Sequence, residues 1–381
     1  MAVGRGLNFG PILRARFIAR PNRFLVRCDL AGQGEVTAFM PNPGRMWELL
    51  LPDAGLFLTD GGVHADRKTR YTVLAVERDG APVFLHTHVN NAVARHLIER
   101  GRIGPLKGAK IVRAEIPVGN SRFDFLLRDA RGDVYVEVKS CTLFGNGVAM
   151  FPDAVTARGR KHLLELAALA EQGHRAAVVF VVHSPNVRWF MPDYHTDLAF
   201  SRTLLEVRDR VEVLPVSVNW RDDLRLGRRA KLLEIPWDHI AREAEDRGAY
   251  LLILRFDRET RVPVGKLGEI AVPPGYHVYV GSAMSGLNAR ITRHKRRRKR
   301  MHWHIDYLRA HAAEVEALPI RGSTRDECAL AAALSAILMP GPEGFGCSDC
   351  ACPTHLFHIT THPLRRADFH AILERFRMRQ P

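Results

Sequence analysis

"SRFDFLLRDARGDVYVEVKS" (121–140) reads as two apolar strands joined by a polar turn, yet Asp124, Glu137 and Lys139 stand among residues that otherwise look like core. Charges taken out of water are costly, so such groups are paired, bound to a metal or at the surface. Side chains alternate faces along a strand. Arg122 and Asp124 therefore share one face of the first strand, and Tyr135, Glu137 and Lys139 share one face of the second. A symmetric four-residue loop at 129–132 pairs 128 with 133, and hence 124 with 137, with Cβ atoms about 5 Å apart. Two carboxylates so placed repel unless a cation sits between them. A hard divalent ion with oxygen ligands, Mg²⁺ or Mn²⁺, is the expected occupant of an Asp124–Glu137 site. Lys139, one pleat along, can orient an attacking water or stabilise developing phosphate charge. Glu115, on the preceding strand, is a third candidate acid. The bland alternative is a surface ion pair between Lys139 and either acid.

The flanking sequence predicts an α/β multidomain chain. Residues 12–80 alternate apolar and polar at period two in short strands broken by Gly, Pro and Asn, which predicts a small OB-like β-barrel. A helix is expected over 90–101, strands over 109–118, 121–128 and 133–141, and an amphipathic helix over 153–173 with Gly173 as its stop. "RAAVVFVVH" (175–183) is the continuous apolar run of a strand buried on both faces. Arg158, Lys161, His162 and Glu165 fall on one face of the 153–173 helix, where they would touch substrate phosphate or simply face solvent. A charged, weakly periodic stretch follows. The expected domains are 1–82 (barrel), 83–222 (mixed sheet), 223–240 (linker) and 241–381 (a second α/β domain).

The formal net charge of +15 attracts polyanions. The charge is clustered: Arg293 to Arg300 holds seven Lys or Arg in eight positions, so Lys295, Arg296, Arg297 and Arg298 are candidate nucleic-acid contacts. Nucleic acid, DNA rather than RNA, is the expected partner. The longest apolar runs are too short to span a bilayer, and the basic N-terminus lacks the apolar core of a signal peptide. With six cysteines and no disulfide framework, a reducing cytoplasm is the expected compartment. Nothing in the sequence indicates the oligomeric state.

The second α/β segment carries its own constellation. "GAY" (248–250) begins one strand, "YVG" (279–281) ends another, a basic helix is expected over 286–300, and Glu327 starts a later helix. Tyr250, Tyr279, Arg290 and Glu327 together suit a phosphodiesterase, with a tyrosinate or metal-bound water attacking, Arg290 on the phosphate and Glu327 holding a single Mg²⁺. Each also has an ordinary reading as a strand or helix-end residue. Cys347, Cys350, Cys352 and His355 have the residue types of a tetrahedral Zn²⁺ site. Zinc modules usually supply two separated halves, whereas these four lie within nine residues; buried or redox-active thiols are the alternative.

Two resemblances emerge from these residues. Asp124 followed by Glu137-Val138-Lys139 on adjacent strands resembles the PD-(D/E)XK nuclease core. With "PNPGRMWELLLPDA" (41–54), "SRFDFLL" (121–127), "VEVKSCTL" (136–143) and "FPDAVTARGRKHLLEL" (151–166), residues 1 to about 235 resemble the sugar fermentation stimulation protein A family. That resemblance implies an OB-like domain, a nuclease-like domain and DNA binding. It also marks Asp153 and Arg158 as site residues, and leaves Arg45 either touching nucleic acid or capping a turn. Residues 247 to about 365 resemble a small GIY-YIG-related family through "GYHVYVGSA" (275–283), "RITRH" (290–294), "HWHIDYL" (302–308), "ECAL" (327–330) and "FGCSDCACPTHLF" (345–357), with GAY in place of GIY. A metal-dependent nucleic-acid phosphodiester hydrolase is the leading expectation. The alternatives are a non-enzymatic DNA-binding regulator that uses nuclease folds as scaffolds, and an adaptor that recruits another protein.

Overall fold

The structure, a computed structural model, describes residues 9–62, 69–119 and 121–381. Residues 1–8, the start of the basic N-terminal stretch tested against a signal peptide, lie outside them. The chain divides into two units. One comprises residues 1–193, 199–237 and 380–381; the other comprises 194–198 and 238–379.

The first unit begins with strands β1 (Ile12–Asn22), β2 (Leu25–Leu30), β3 (Gly34–Phe39), β4 (Gly55–Asp60), β5 (Tyr71–Arg78) and β6 (Ala81–Phe84). Antiparallel pairings run β3–β2–β1–β4–β5, and a parallel β3–β5 pairing joins the two ends into a five-stranded OB-like barrel. Its interior is filled by Phe17, Val26, Cys28, Ala38, Leu56, Leu58 and Val73, alternate residues whose inward faces exclude water.

Helix α1 (Asn90–Glu99) follows, then β7 (Lys110–Val118), β8 (Ser121–Asp129), β9 (Gly132–Cys141), β10 (Leu143–Gly145), β11 (Val148–Phe151), α2 (Ala157–Glu171), β12 (Arg175–Val182), β13 (Trp189–Pro192), α3 (Leu198–Val207), β14 (Glu212–Trp220) and β15 (Leu226–Leu232). The mixed sheet has the order β15-β14-β12-β9-β8-β7, with β12 parallel to both β9 and β14. Its sequence of one helix, a three-stranded meander, a second helix and a parallel strand makes it a PD-(D/E)XK nuclease-like sheet. Strand β12 lies inside the sheet, and Ala176 through Val182 are all buried, which explains its unbroken apolar run.

Three expectations need correction. The β8–β9 hairpin closes on a two-residue turn, Ala130–Arg131, rather than four residues: Asp129 Oδ1 accepts from the Arg131 amide at 2.8 Å, and Arg128 and Asp133 pair across the ladder. The 128↔133 register is nevertheless the expected one. Helix α2 begins at Ala157, not 153, because the Thr156 side chain accepts from the Gly159 amide and caps it. The expected linker, 223–240, contains β15, which pairs with β14 in the first unit's sheet; charge on an edge strand disguised it as a boundary.

Helix α4 (Trp237–Glu243) spans the division between the units. The second unit contains β16 (Gly248–Phe256), β17 (Thr260–Pro263), β18 (Glu269–Val272), β19 (Gly275–Ala283), α5 (Leu287–Lys295), α6 (His304–His311), β20 (Glu314–Arg321), α7 (Glu327–Ser335), β21 (Met339–Pro340), β22 (Leu356–Ile359) and α8 (Ala367–Arg377). Its antiparallel sheet has the order β20-β16-β19-β22-β21. Helix α5 ends at Lys295, not at 300, so most of the basic run lies beyond it. Among the described residues no helix is long and apolar enough to cross a membrane.

Candidate active site

The β8–β9 ladder has its last registered pair at Phe125↔Val136, one step before the two acids. Past the end of that ladder, though still alongside β7, Asp124 turns its carboxylate onto neighbouring donors. Its Oδ2 accepts from the Val138 amide at 2.7 Å, and its Oδ1 accepts from Asn91 Nδ2, on the first turn of α1, at 2.6 Å. Glu137 is 5% exposed. Its Oε1 takes Lys139 Nζ at 2.5 Å and His162 Nδ1 at 2.6 Å, while its buried Oε2 has no hydrogen-bond partner among the described residues. Asp124, Glu137 and Lys139 are thus brought together.

The two carboxyls titrate in opposite directions. Burial, reinforced by the nearby Glu137 charge, pushes Asp124 up to about 6, against the lowering effect of its hydrogen bonds. Burial also pushes Glu137 upward, but the His162 hydrogen bond and the Lys139 charge outweigh it and hold Glu137 below its ordinary value. A pair of adjacent carboxyls, one strained by the other's charge and one with a buried bare oxygen, fits a divalent cation with oxygen ligands.

The α2 face, expected either to touch substrate phosphate or to face solvent, turns one of its residues inward to the acids. His162 is 3% exposed and supports Glu137, because the helix packs this face against the sheet. Arg158, exposed, donates from Nε to His162 Nε2 at 3.3 Å, and Lys161 pairs with Glu165 at the surface. Glu115, across the β7–β8 ladder from Asp124, has an exposed side chain that pairs with Arg122. The backbone N–H groups of Met46 and Arg45 face the buried carboxyl of Asp153, which ties it to the "NPGR" loop. Arg45 itself is exposed, with its guanidinium 4.8 Å from the Trp47 ring centre.

Asn91 was missed by sequence reasoning, since nothing in "NNAVARHL" distinguishes it from a polar helix start. His162 was placed on the right helix face but assigned to substrate; its spacing of i+4 from Arg158 was the available signal.

In the second unit, Tyr250 on β16 lies opposite Gly281 on β19, and a side chain at Gly281 would run into the Tyr250 ring. The Tyr250 hydroxyl lies 3.0 Å from His294 Nε2 and is also bonded by Arg290, which stacks 4.3 Å over Trp303. Tyr279 is 6.4 Å from Tyr250, ring centre to ring centre. Burial pushes both phenols well above their ordinary values, away from the tyrosinate form. Glu327, at the start of α7, accepts from Ser282 Oγ and lies 3.2 Å from His355 Nδ1. At the end of α5 and just beyond it, Lys295, Arg296, Arg297 and Arg298 are exposed, whereas Lys299 turns inward to Asp306 at 2.9 Å.

The expected zinc set needs one correction. Cys347 points elsewhere, its thiol donating to the Pro353 carbonyl at 3.7 Å. Cys350, Cys352 and His355 are instead joined by Cys328, from the first turn of α7, with one potential ligand atom from each residue within 4.8 Å of the others. The fourth member came from a distant helix, which a local spacing pattern does not reveal.

Three known families match the chain: the SfsA N-terminal OB domain over residues 18–85, the sugar fermentation stimulation protein RE domain over 88–223, and a domain of unknown function, DUF123, which is GIY-YIG-related, over 249–378. A sugar fermentation stimulation protein homolog of Moorella thermoacetica is 41% identical over 196 residues, 51% of this chain and 84% of the relative. Another, from Methanothermobacter thermautotrophicus, is 35% identical over 207 residues, 54% of this chain and 85% of the relative. The solved structure of Pyrococcus furiosus SfsA in complex with Ca²⁺ is 30% identical, with a TM-score of 0.55, covering 60% of this chain and 97% of that one.

Proposed function

The chain belongs to the sugar fermentation stimulation protein family, and from that premise we propose that its first unit is a divalent-metal-dependent nucleic-acid phosphodiester hydrolase acting on DNA in preference to RNA. The observation that carries this reading is the buried, unpartnered Glu137 Oε2 beside a carboxyl, Asp124, that burial and then its neighbour's charge push upward. The calcium complex of the Pyrococcus furiosus relative supports divalent-ion binding by the family.

Asp124 and Glu137 would hold Mg²⁺ or Mn²⁺, which when bound supplies Lewis-acid charge at a phosphoryl oxygen. The chain's own residues do the rest. Asn91 and the Val138 amide fix the Asp124 carboxylate, and His162 fixes Glu137. The Lys139 ammonium, at the edge of the acid pair, orients a water and offsets charge gathering on the phosphate. The exposed side chains of Arg45, Arg158 and Lys161 in this unit, and of Lys295 to Arg298 in the other, supply cations for the nucleic-acid backbone.

The test is a cleavage assay of the full chain with Mg²⁺ or Mn²⁺ on labelled single-stranded, double-stranded and branched DNA and RNA, with Asp124→Asn and Glu137→Gln in parallel. Metal-dependent cleavage that both substitutions abolish is the expected result. Tight binding without cleavage of any substrate would replace this reading with that of a non-enzymatic DNA-binding regulator.

A further inference from the structure

In the second unit, the segment 341–355 between β21 and β22 carries no helix or strand. Backbone hydrogen bonds close its base: Gly344 N to Pro353 O at 2.8 Å, and His355 N to Phe345 O at 2.8 Å. Cys350 and Cys352 lie above that base, and His355, fully buried, leads into β22. The N-terminal turn of α7 meets this segment with Glu327 and Cys328. Two halves far apart in sequence thus converge, as they do in ordinary zinc modules.

We propose that Cys328, Cys350, Cys352 and His355 bind one structural Zn²⁺ ion, with Glu327 as the carboxylate that orients His355. Zn–S bonds of about 2.3 Å and Zn–N bonds of about 2.0–2.1 Å at tetrahedral angles place sulfur and nitrogen about 3.5 Å apart. Cys350 Sγ and His355 Nε2 are 3.5 Å apart. The other donors need to close by about an ångström, a motion open to a segment without regular structure. His355 presents Nε2 to the thiols, and its buried Nδ1, which makes no well-formed hydrogen bond among the described residues, lies 3.2 Å from Glu327 Oε1, the nearest acceptor a small ring rotation would engage. A ligating histidine commonly directs its other ring nitrogen to a carboxylate, which fixes the tautomer and ring orientation. The second Glu327 oxygen is taken by Ser282, so the carboxylate is itself held in place. Glu327 therefore serves the sulfur-ligated site as a positioning residue, in place of the Mg²⁺ ligation that its pattern suggests. On binding, the three thiols lose their protons to solvent and the site carries one net negative charge.

Zinc is measured in the full chain purified without chelator, and Co²⁺ spectra are recorded for the wild type and for C328S, C350S, C347S and E327Q. The acid pair in the first unit has no sulfur, so a thiolate-to-Co²⁺ charge-transfer band reports this site alone. One zinc per chain is expected, with a tetrahedral sulfur-rich Co²⁺ spectrum in the wild type and C347S that is lost in C328S and C350S. E327Q should bind Zn²⁺ about 10–100-fold more weakly in chelator competition. Should C328S fail to fold, alkylation of the wild-type chain gives the same information: Zn²⁺ protects Cys328, Cys350 and Cys352. A wild-type spectrum without thiolate bands, metal loss in C347S, or equal alkylation of Cys328 with and without Zn²⁺ overturns the site. Undiminished affinity in E327Q overturns the role of Glu327.

Discussion

His162 Nδ1 lies 2.6 Å from the same Glu137 oxygen that receives Lys139, so two donors converge on Oε1 and leave Oε2 bare. A helix side chain thereby sets which oxygen of the strand carboxylate remains available. If that arrangement supports metal binding, His162→Ala should weaken Ca²⁺ affinity about 10–100-fold, the usual cost of losing an outer partner of a ligand. Calorimetric titration of the full chain with Ca²⁺ measures this, and unchanged affinity would show that His162 only fills space.

Asp124 is pushed up to about 6, above its ordinary 3.8. A carboxyl raised on folding binds its proton more tightly in the native state, so its contribution to stability falls as pH rises from about 4 to 6. Asp124→Asn removes that liability. The metal-free variant should melt at the same temperature as the wild type or higher at pH 7, and should lose the stabilisation that Ca²⁺ confers on the wild type. Divalent-ion binding by the wild type should also weaken as pH falls through about 6, where Asp124 takes up its proton.

Glu137→Gln should behave differently from Asp124→Asn, although repulsion between the acids is relieved in both. Its carboxylate is the partner of Lys139 and His162, and hydrogen bonds to charged groups are worth about 1.5–3 kcal/mol. The melting temperature of metal-free E137Q should fall by an amount corresponding to about 2 kcal/mol. A melting temperature equal to or above that of D124N would mean that repulsion dominates the site.

Gly44 abuts Asp153: a Cβ built there would stand 2.8 Å from the carboxylate carbon. Because that carboxylate is buried, it has little room to give way. Gly44→Ala should destabilise the chain by about 1–3 kcal/mol, read from chemical unfolding, and adding Asp153→Ala should recover part of the loss. Additive losses in the double variant would show that the two residues do not collide.

Lys295, the last residue of α5, and Arg296, Arg297 and Arg298 just beyond it are exposed. Replacing all four with Gln should weaken nucleic-acid binding and flatten the plot of log K against log[salt], by about 0.9 for each duplex phosphate that the run neutralises in the wild type. The same slope in the variant would make the run a solvated surface.

The local pattern of this chain determined a great deal. Period-two alternation and turn residues set out the barrel strands, the apolar run at 175–182 marked a strand buried on both faces, and the 128↔133 hairpin register brought the strand ends that carry Asp124 and Glu137 alongside each other. These follow from short-range geometry, in which backbone periodicity decides what faces the core. Only the tertiary structure decided which residues from distant elements meet. Asn91 on α1 and His162 on α2 reach the acids because both helices pack on the sheet, and Cys328 displaces Cys347 because α7 delivers its first turn to the 341–355 segment. The expected linker becomes the edge strand β15 for the same reason. Long-range contacts depend on how whole elements bury their apolar faces against one another, and no spacing within a single segment encodes that.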